Sequence, residues 1–169
     1  AIIQFSTFNA GAVETEGFEA DLLWYTDIPG LTLRGQFAWT DATNTGDFIT
    51  PGGENLKGSK RSYSPEIAGS FGLSYDSGLS NGWRYNISTD ARYSDEYGWG
   101  TYIDSPMQDS FWINDVALSL YSEDGKHSFN LIGRNLGDEI VIITGGAIPG
   151  RISTQTGTSA LIQDQAVTT

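Results

Sequence analysis

Hydrophobic and polar positions alternate along most of this chain with a period of two. From Trp83 to Tyr93, one set is Trp83, Tyr85, Ile87, Thr89, Ala91 and Tyr93, and the other is Arg84, Asn86, Ser88, Asp90 and Arg92. That order would scatter charge around a 3.6-residue helix, but on a strand it sorts the charge onto one face. The same alternation runs through Phe18, Ala20, Leu22 and Trp24, through Leu31, Leu33, Gly35, Phe37 and Trp39, and through Ile67, Gly69, Phe71, Leu73 and Tyr75. It returns in Val116, Leu118 and Leu120, and in Phe129, Leu131 and Gly133, where Ile132 breaks the polarity of the other set. The pattern predicts seven strands, at residues 2–9, 16–26, 30–41, 64–76, 82–95, 111–122 and 126–136.

The connections alternate as well. Residues 26–30, 76–82 and 122–126 are short and carry Asp, Asn, Pro or Gly, with Asp124-Gly125 the strongest hairpin signal. Residues 41–63 and 95–110 and the tail from Gly137 to Thr169 are long and rich in Gly, Thr, Ser and Asp, while Asn9 to Thr15 is brief. In a meander every second connection emerges at the same end, so the short turns share one end and the long ones the other. Outer-membrane barrels have that asymmetry as a rule, and soluble sandwiches have it only by accident.

Aromatic residues gather at both strand ends. Trp24, Tyr75, Trp83 and Tyr121 lie beside the short turns, and Trp39, Tyr93 and Trp112 lie toward the long connections. Trp83 and Tyr93 are about 33 Å apart along one strand face at a rise of ~3.3 Å per residue. With a tilt of about 45° they span about 23 Å, close to the ≈ 25 Å apolar band between two aromatic girdles. The opposite faces carry Glu19, Asp21, Arg34, Arg84, Asp90 and Arg92, as a polar lumen requires.

Composition narrows the function classes. The chain has 169 residues, 38% of them apolar, and a net charge of −12, which disfavours nucleic acid as a partner. It has no cysteine, hence no disulfide, thiolate metal site or cysteine nucleophile. Its longest apolar runs, Leu22 to Tyr25 and Ile140 to Ile143, fall far short of the ~18 residues of a transmembrane helix, which leaves a strand route across a membrane open. The sequence starts at Ala1 without an initiator Met, consistent with a removed leader or with a longer protein. Seven strands are an odd number, and an open sheet edge in hydrocarbon is costly, so a piece of a larger barrel is expected.

Short motifs then point to a family. Asn9-Ala10-Gly11 followed by Glu16-Gly17-Phe18-Glu19, then Gly30-Leu31-Thr32-Leu33-Arg34-Gly35 and Asp41-Ala42, resemble successive strands late in the barrels of TonB-dependent outer-membrane receptors. Trp112 to Leu118, Ser122-Glu123-Asp124-Gly125 and Phe129 to Gly133 are similar to the family's penultimate hairpin. Arg134-Asn135-Leu136-Gly137-Asp138-Glu139 resembles its Asn-Leu-X-Asp/Asn-Glu ending. The resemblance covers about residues 1–145. It implies a barrel of about 22 strands around an N-terminal plug domain, in the bacterial outer membrane. It implies uptake of a scarce small nutrient, such as a ferric siderophore, haem, cobalamin or a glycan, energised by the inner-membrane TonB complex through the plug region. On this view residues 1–169 are a C-terminal portion of that barrel without its closing strand, and 137–169 form a long extracellular loop. The partners are outer-membrane lipid, the plug and the remaining strands.

No enzyme constellation competes. His127 is the one histidine and sits beside a turn; there is no G-x-S-x-G or HExxH, no metal-ligand spacing, and no cofactor is implied. The adjacent pairs Asp95-Glu96 and Asp138-Glu139 point opposite ways on extended backbone. Thr50-Pro51-Gly52-Gly53-Glu54-Asn55 reads as a mobile surface turn, and Lys57, Lys60 and Arg61 as a basic cluster facing solvent or an anionic headgroup. Tyr97, Trp99 and Tyr102 form an aromatic loop suited to ligand capture or to packing on its neighbours. Arg34, Arg84, Asp90 and Arg92 are expected to face the lumen, satisfying each other and the plug. Two other classes stay open: a soluble or surface-attached carbohydrate-binding or adhesin domain, and a porin-like passive channel.

Overall fold

The computed structural model describes residues 11–50, 53–99 and 106–142. Among them there is no helix. The strands are β1 (Val13–Tyr25), β2 (Leu31–Asn44), β3 (Ile67–Gly78), β4 (Arg84–Ser94), β5 (Tyr97–Gly98), β6 (Met107–Gln108), β7 (Phe111–Tyr121) and β8 (Ser128–Gly133). Six of them form an antiparallel meander in the order β1-β2-β3-β4-β7-β8, and β5 and β6 make a separate two-stranded ribbon. The strand expected at 2–9 lies outside the described residues.

The register keeps the two faces apart across the whole sheet. Trp24 pairs with Leu33 and Leu33 with Leu73; Phe18 pairs with Trp39 and Trp39 with Ile67. Tyr75 pairs with Ile87, Ile87 with Leu118, and Leu118 with Leu131. On the other face Asp21 pairs with Gln36, Gln36 with Ser70, and Ser70 with Arg92. A slip of one residue at a seam would put polar or charged side chains among the apolar residues, so the alternation itself fixes the register.

The apolar face is open. Phe18 is 58% exposed and Leu131 70% exposed, and the only buried hydrophobic residues among those described are Ala42, Leu56 and Trp99. All three stand at the long-connection end. A sandwich would have covered this face with a second sheet, whereas hydrocarbon is a natural neighbour for it.

The short turns are tight for local reasons. Gly30 adopts φ +83°, and a Cβ there would collide with the Asp76 carbonyl, while the Asp76 N–H donates to Gly30 O at 2.9 Å. In the last turn the Asp124 carboxylate accepts from Ser122 Oγ at 2.7 Å and from the Lys126 N–H at 3.1 Å, and Gly125 takes φ +68°.

Some boundaries differ from the sequence pattern. β1 starts at Val13 and β2 runs on to Asn44 because their ladder continues past the apolar band. β3 begins only at Ile67, after Tyr63 at φ +57° and Pro65. β8 ends at Gly133 because Asn135 turns to φ +47°. Of the turn expected around Thr50, residues 51 and 52 lie outside the described residues; on either side of them Thr50 N–H donates to Glu54 O at 2.8 Å, and Thr50 is buried.

Leu118 sits between Ile87 and Leu131 on the apolar face, and Ser119 sits between Asn86 and Asn130 on the polar one. In a folding titration of the complete barrel in bilayers, Leu118→Arg should cost about 2–4 kcal/mol near the midplane, and Ser119→Arg clearly less. Equal costs would contradict the sidedness.

Candidate functional site

The polar face carries a row of ion pairs. Arg34 on β2 reaches across β3 to Asp90 on β4, with Nη2 2.7 Å from Oδ2. The residue between them in the register is Gly72. A Cβ at Gly72 would lie 2.5 Å from Arg34 Nε and 2.9 Å from Asp90 Oδ1, so glycine keeps the crossing open. Asp90 stands directly opposite Asp115 on β7, a like-charge pairing that is relieved on both sides. Arg34 holds Asp90, and Arg92 holds Asp115 at 3.0 Å. Arg84 pairs with Asp76. The four lumen residues expected from the sequence therefore form one mutual pair, Arg34 with Asp90, and two arginines with other partners. These pairs are part-exposed and individually weak, so they set the polarity and geometry of the face more than its stability.

Asp115 and Gly72 were not singled out in the sequence, although the alternation through Ala117 and Ser119 already puts Asp115 on the polar face. Asp115 does more than balance Arg92: its Oδ1 accepts the Asn135 N–H at 2.8 Å. Asn135 in turn exchanges two hydrogen bonds with the Glu139 backbone, at 2.9 and 3.0 Å. The Asn-Leu motif is thus the device that turns the chain out of β8. A shallow concavity beside the row is lined by Asp21, Leu23, Arg34, Gln36, Ser70 and Asp90.

The aromatic residues stand in two groups at the strand ends. At the long-connection end Phe18 contacts Phe37 and Trp39, with ring centres 5.6 and 6.0 Å apart, and Tyr93 lies 5.0 Å from Trp112. Their polar tips find polar partners: Trp39 Nε1 donates to Glu66 at 3.3 Å and the Tyr93 hydroxyl to Asp95 at 3.3 Å. At the short-turn end Tyr75 contacts Tyr85, and Trp83 stacks on Phe129 at 6.5 Å, with Trp24 on the same face. Rings with apolar bodies and hydrogen-bonded tips suit a boundary between hydrocarbon and water.

The long connections fold back on the sheet. Residues 58–61 run beside the end of β2, where Asn44 Nδ2 donates to Ser59 Oγ at 3.0 Å and the Arg61 N–H to Ala42 O at 2.8 Å. Two of the three basic residues are held by carboxylates: Lys57 by Asp47 at 3.1 Å, and Lys60 by Asp41 at 3.0 Å and Glu66 at 3.8 Å. The Asn55 amide, then Lys57, hold the Asp47 carboxyl below its usual range. Trp99 is 4% exposed, so this arrangement packs its ring instead of offering it to a ligand. Tyr97 is half-buried, and burial, with Tyr63 beside it, pushes its phenol up. Tyr102 lies outside the described residues.

An extended antiparallel wall, apolar on one face and charged on the other, with its elaborate connections at one end, is the wall of an outer-membrane-type β-barrel. A family model described as TonB dependent receptor-like, beta-barrel matches residues 2–136, and the chain belongs to that family. The family is one of outer-membrane receptor-transporters, not of enzymes. Neither the curated proteins nor the solved structures compared with the chain gave a match.

Two outcomes follow. Gly72→Val should destabilise the barrel by about 1–3 kcal/mol through overpacking, and most of that loss should disappear when Arg34→Ala is added; a double-mutant cycle by urea titration measures the coupling. For Asp47, a lowered native pKa means its contribution to loop order is complete above the ordinary carboxylate pKa and is lost as pH falls through the lowered one. Limited proteolysis of residues 47–57 should rise at acid pH, and Asp47→Asn should flatten that dependence.

Proposed function

We propose that this chain is the C-terminal portion of a TonB-dependent barrel of about 22 strands, residing in the outer membrane and importing a scarce nutrient of the ferric-siderophore kind. The observation that carries the reading is the continuous sidedness of six paired strands in a chain of this family. Among the described residues the outer edges of β1 and β8 carry no partner strand, which supports it, since in hydrocarbon they need further strands as partners. The apolar face meets outer-membrane lipid, with Trp24, Trp39, Tyr75, Trp83, Tyr93 and Trp112 at its two boundaries. The face with Arg34, Arg84, Asp90 and Arg92 lines the lumen and meets the plug, and energy arrives from TonB through that plug. The long connections, including 137–169, face the cell exterior, and the segment with Tyr97, Trp99 and Tyr102 contributes to ligand capture, Trp99 once its ring leaves the packed position.

The test is uptake and binding by cells carrying the full-length receptor, with a panel of iron-loaded siderophores. Binding of at least one is expected to persist without TonB while its uptake stops. Uptake that continues without TonB would replace active transport by a porin-like channel, and no binding across the panel would remove the siderophore class.

A further inference from the structure

The three long connections meet in one set of contacts. Tyr63, in the connection between β2 and β3, donates its N–H to Gly98 O at 2.8 Å and its hydroxyl to Trp99 O at 2.5 Å. Its ring lies 6.3 Å from that of Tyr97. Tyr97 donates its hydroxyl to Ile142 O at 3.3 Å, in the segment that follows β8. Buried Gln108 accepts the Ile142 N–H through Oε1 at 2.8 Å, and the Trp99 N–H donates to Pro106 O at 3.2 Å. The middle connection touches both of the others, the first through Tyr63 and the third through Tyr97 and Gln108.

We propose that these contacts form a single latch, pinned by Tyr63 and Gln108, which opens and closes residues 56–63, 97–99 with 106–108, and 139–142 as one unit. Two features of the closed state favour its opening. Tyr63 stands at φ +57°, a left-handed conformation that a bulky residue rarely adopts. Trp99 Nε1 is buried with no hydrogen-bond partner among the described residues. A buried donor left unpaired carries its full desolvation cost, which water would relieve once the ring swings out. The closed latch is therefore a balance between four cross-connection hydrogen bonds and two local penalties, the balance a switch requires. The sheet beneath contributes no such penalty to the contact set, so opening leaves β3 and β4 paired. The latch does not depend on which ligand the receptor takes.

Hydrogen exchange on the full-length receptor in detergent tests this. Tyr63→Phe removes the hydroxyl donor and keeps the ring; Gln108→Ala removes the acceptor for Ile142. Each should speed exchange about tenfold in all three segments, 56–63, 97–99 with 106–108, and 139–142, with amides 69–73 of β3 unchanged as the folding control. Acceleration confined to the substituted segment in both variants would overturn the latch. Replacing the Trp99 indole with benzothiophene keeps the ring size and removes the N–H, and should slow exchange in all three segments. Unchanged or faster exchange there would overturn the role of the buried donor.

Discussion

A sheet in hydrocarbon has to pair every backbone N–H and C=O within itself, because no water is present to take one. That demand governs this structure. β1 is paired with β2 along its full length, and the ladders from β2 to β8 follow without a bulge in register. With the ladder unbroken, the period-two alternation carries through all six strands. Irregular backbone is confined to the two ends, compact at one and elaborate at the other.

The polar face shows what an unbroken ladder asks of side chains. Charged groups on neighbouring strands are brought within a few ångströms whether or not their signs suit. Asp90 and Asp115 are such a pair, and each is balanced by an arginine from a different strand. Arg34 reaches Asp90 only because Gly72 has no side chain on the strand between them. Glycine in a strand normally weakens it; here the close passage of a guanidinium gives it a positive role.

Burial is concentrated where the ladder ends. Ala42, Asn44, Thr50, Leu56, Trp99 and Gln108 are buried, and all belong to the end with the long connections. A barrel wall has lipid and lumen on its two faces, so it has no core of its own to build. The connections do have one, and their hydrogen bonds run between segments far apart in sequence, from Tyr63 to Trp99 and from Gln108 to Ile142. The basic residues Lys57 and Lys60 are drawn into that layer by Asp47, Asp41 and Glu66.

Strand identity, face and neighbour order were legible in the sequence, because period two and alternating turn lengths are local properties that a register of paired strands must obey. The aromatic positions at both strand ends, and the polar set with Arg34, Arg84, Asp90 and Arg92, follow from the same parity. Pairing among those charges was not legible: Arg34 finds Asp90 across a glycine, and Arg92 finds Asp115, only when strands 20 or more residues apart are laid side by side. The fold-back of residues 58–61 and the β5–β6 ribbon were hidden for the same reason, and of the two readings of the aromatic loop, capture or packing, only the tertiary structure decided that Trp99 packs. Glycine-rich and polar connections have no period to read, and what orders them is contact between chain segments that only the tertiary structure brings together.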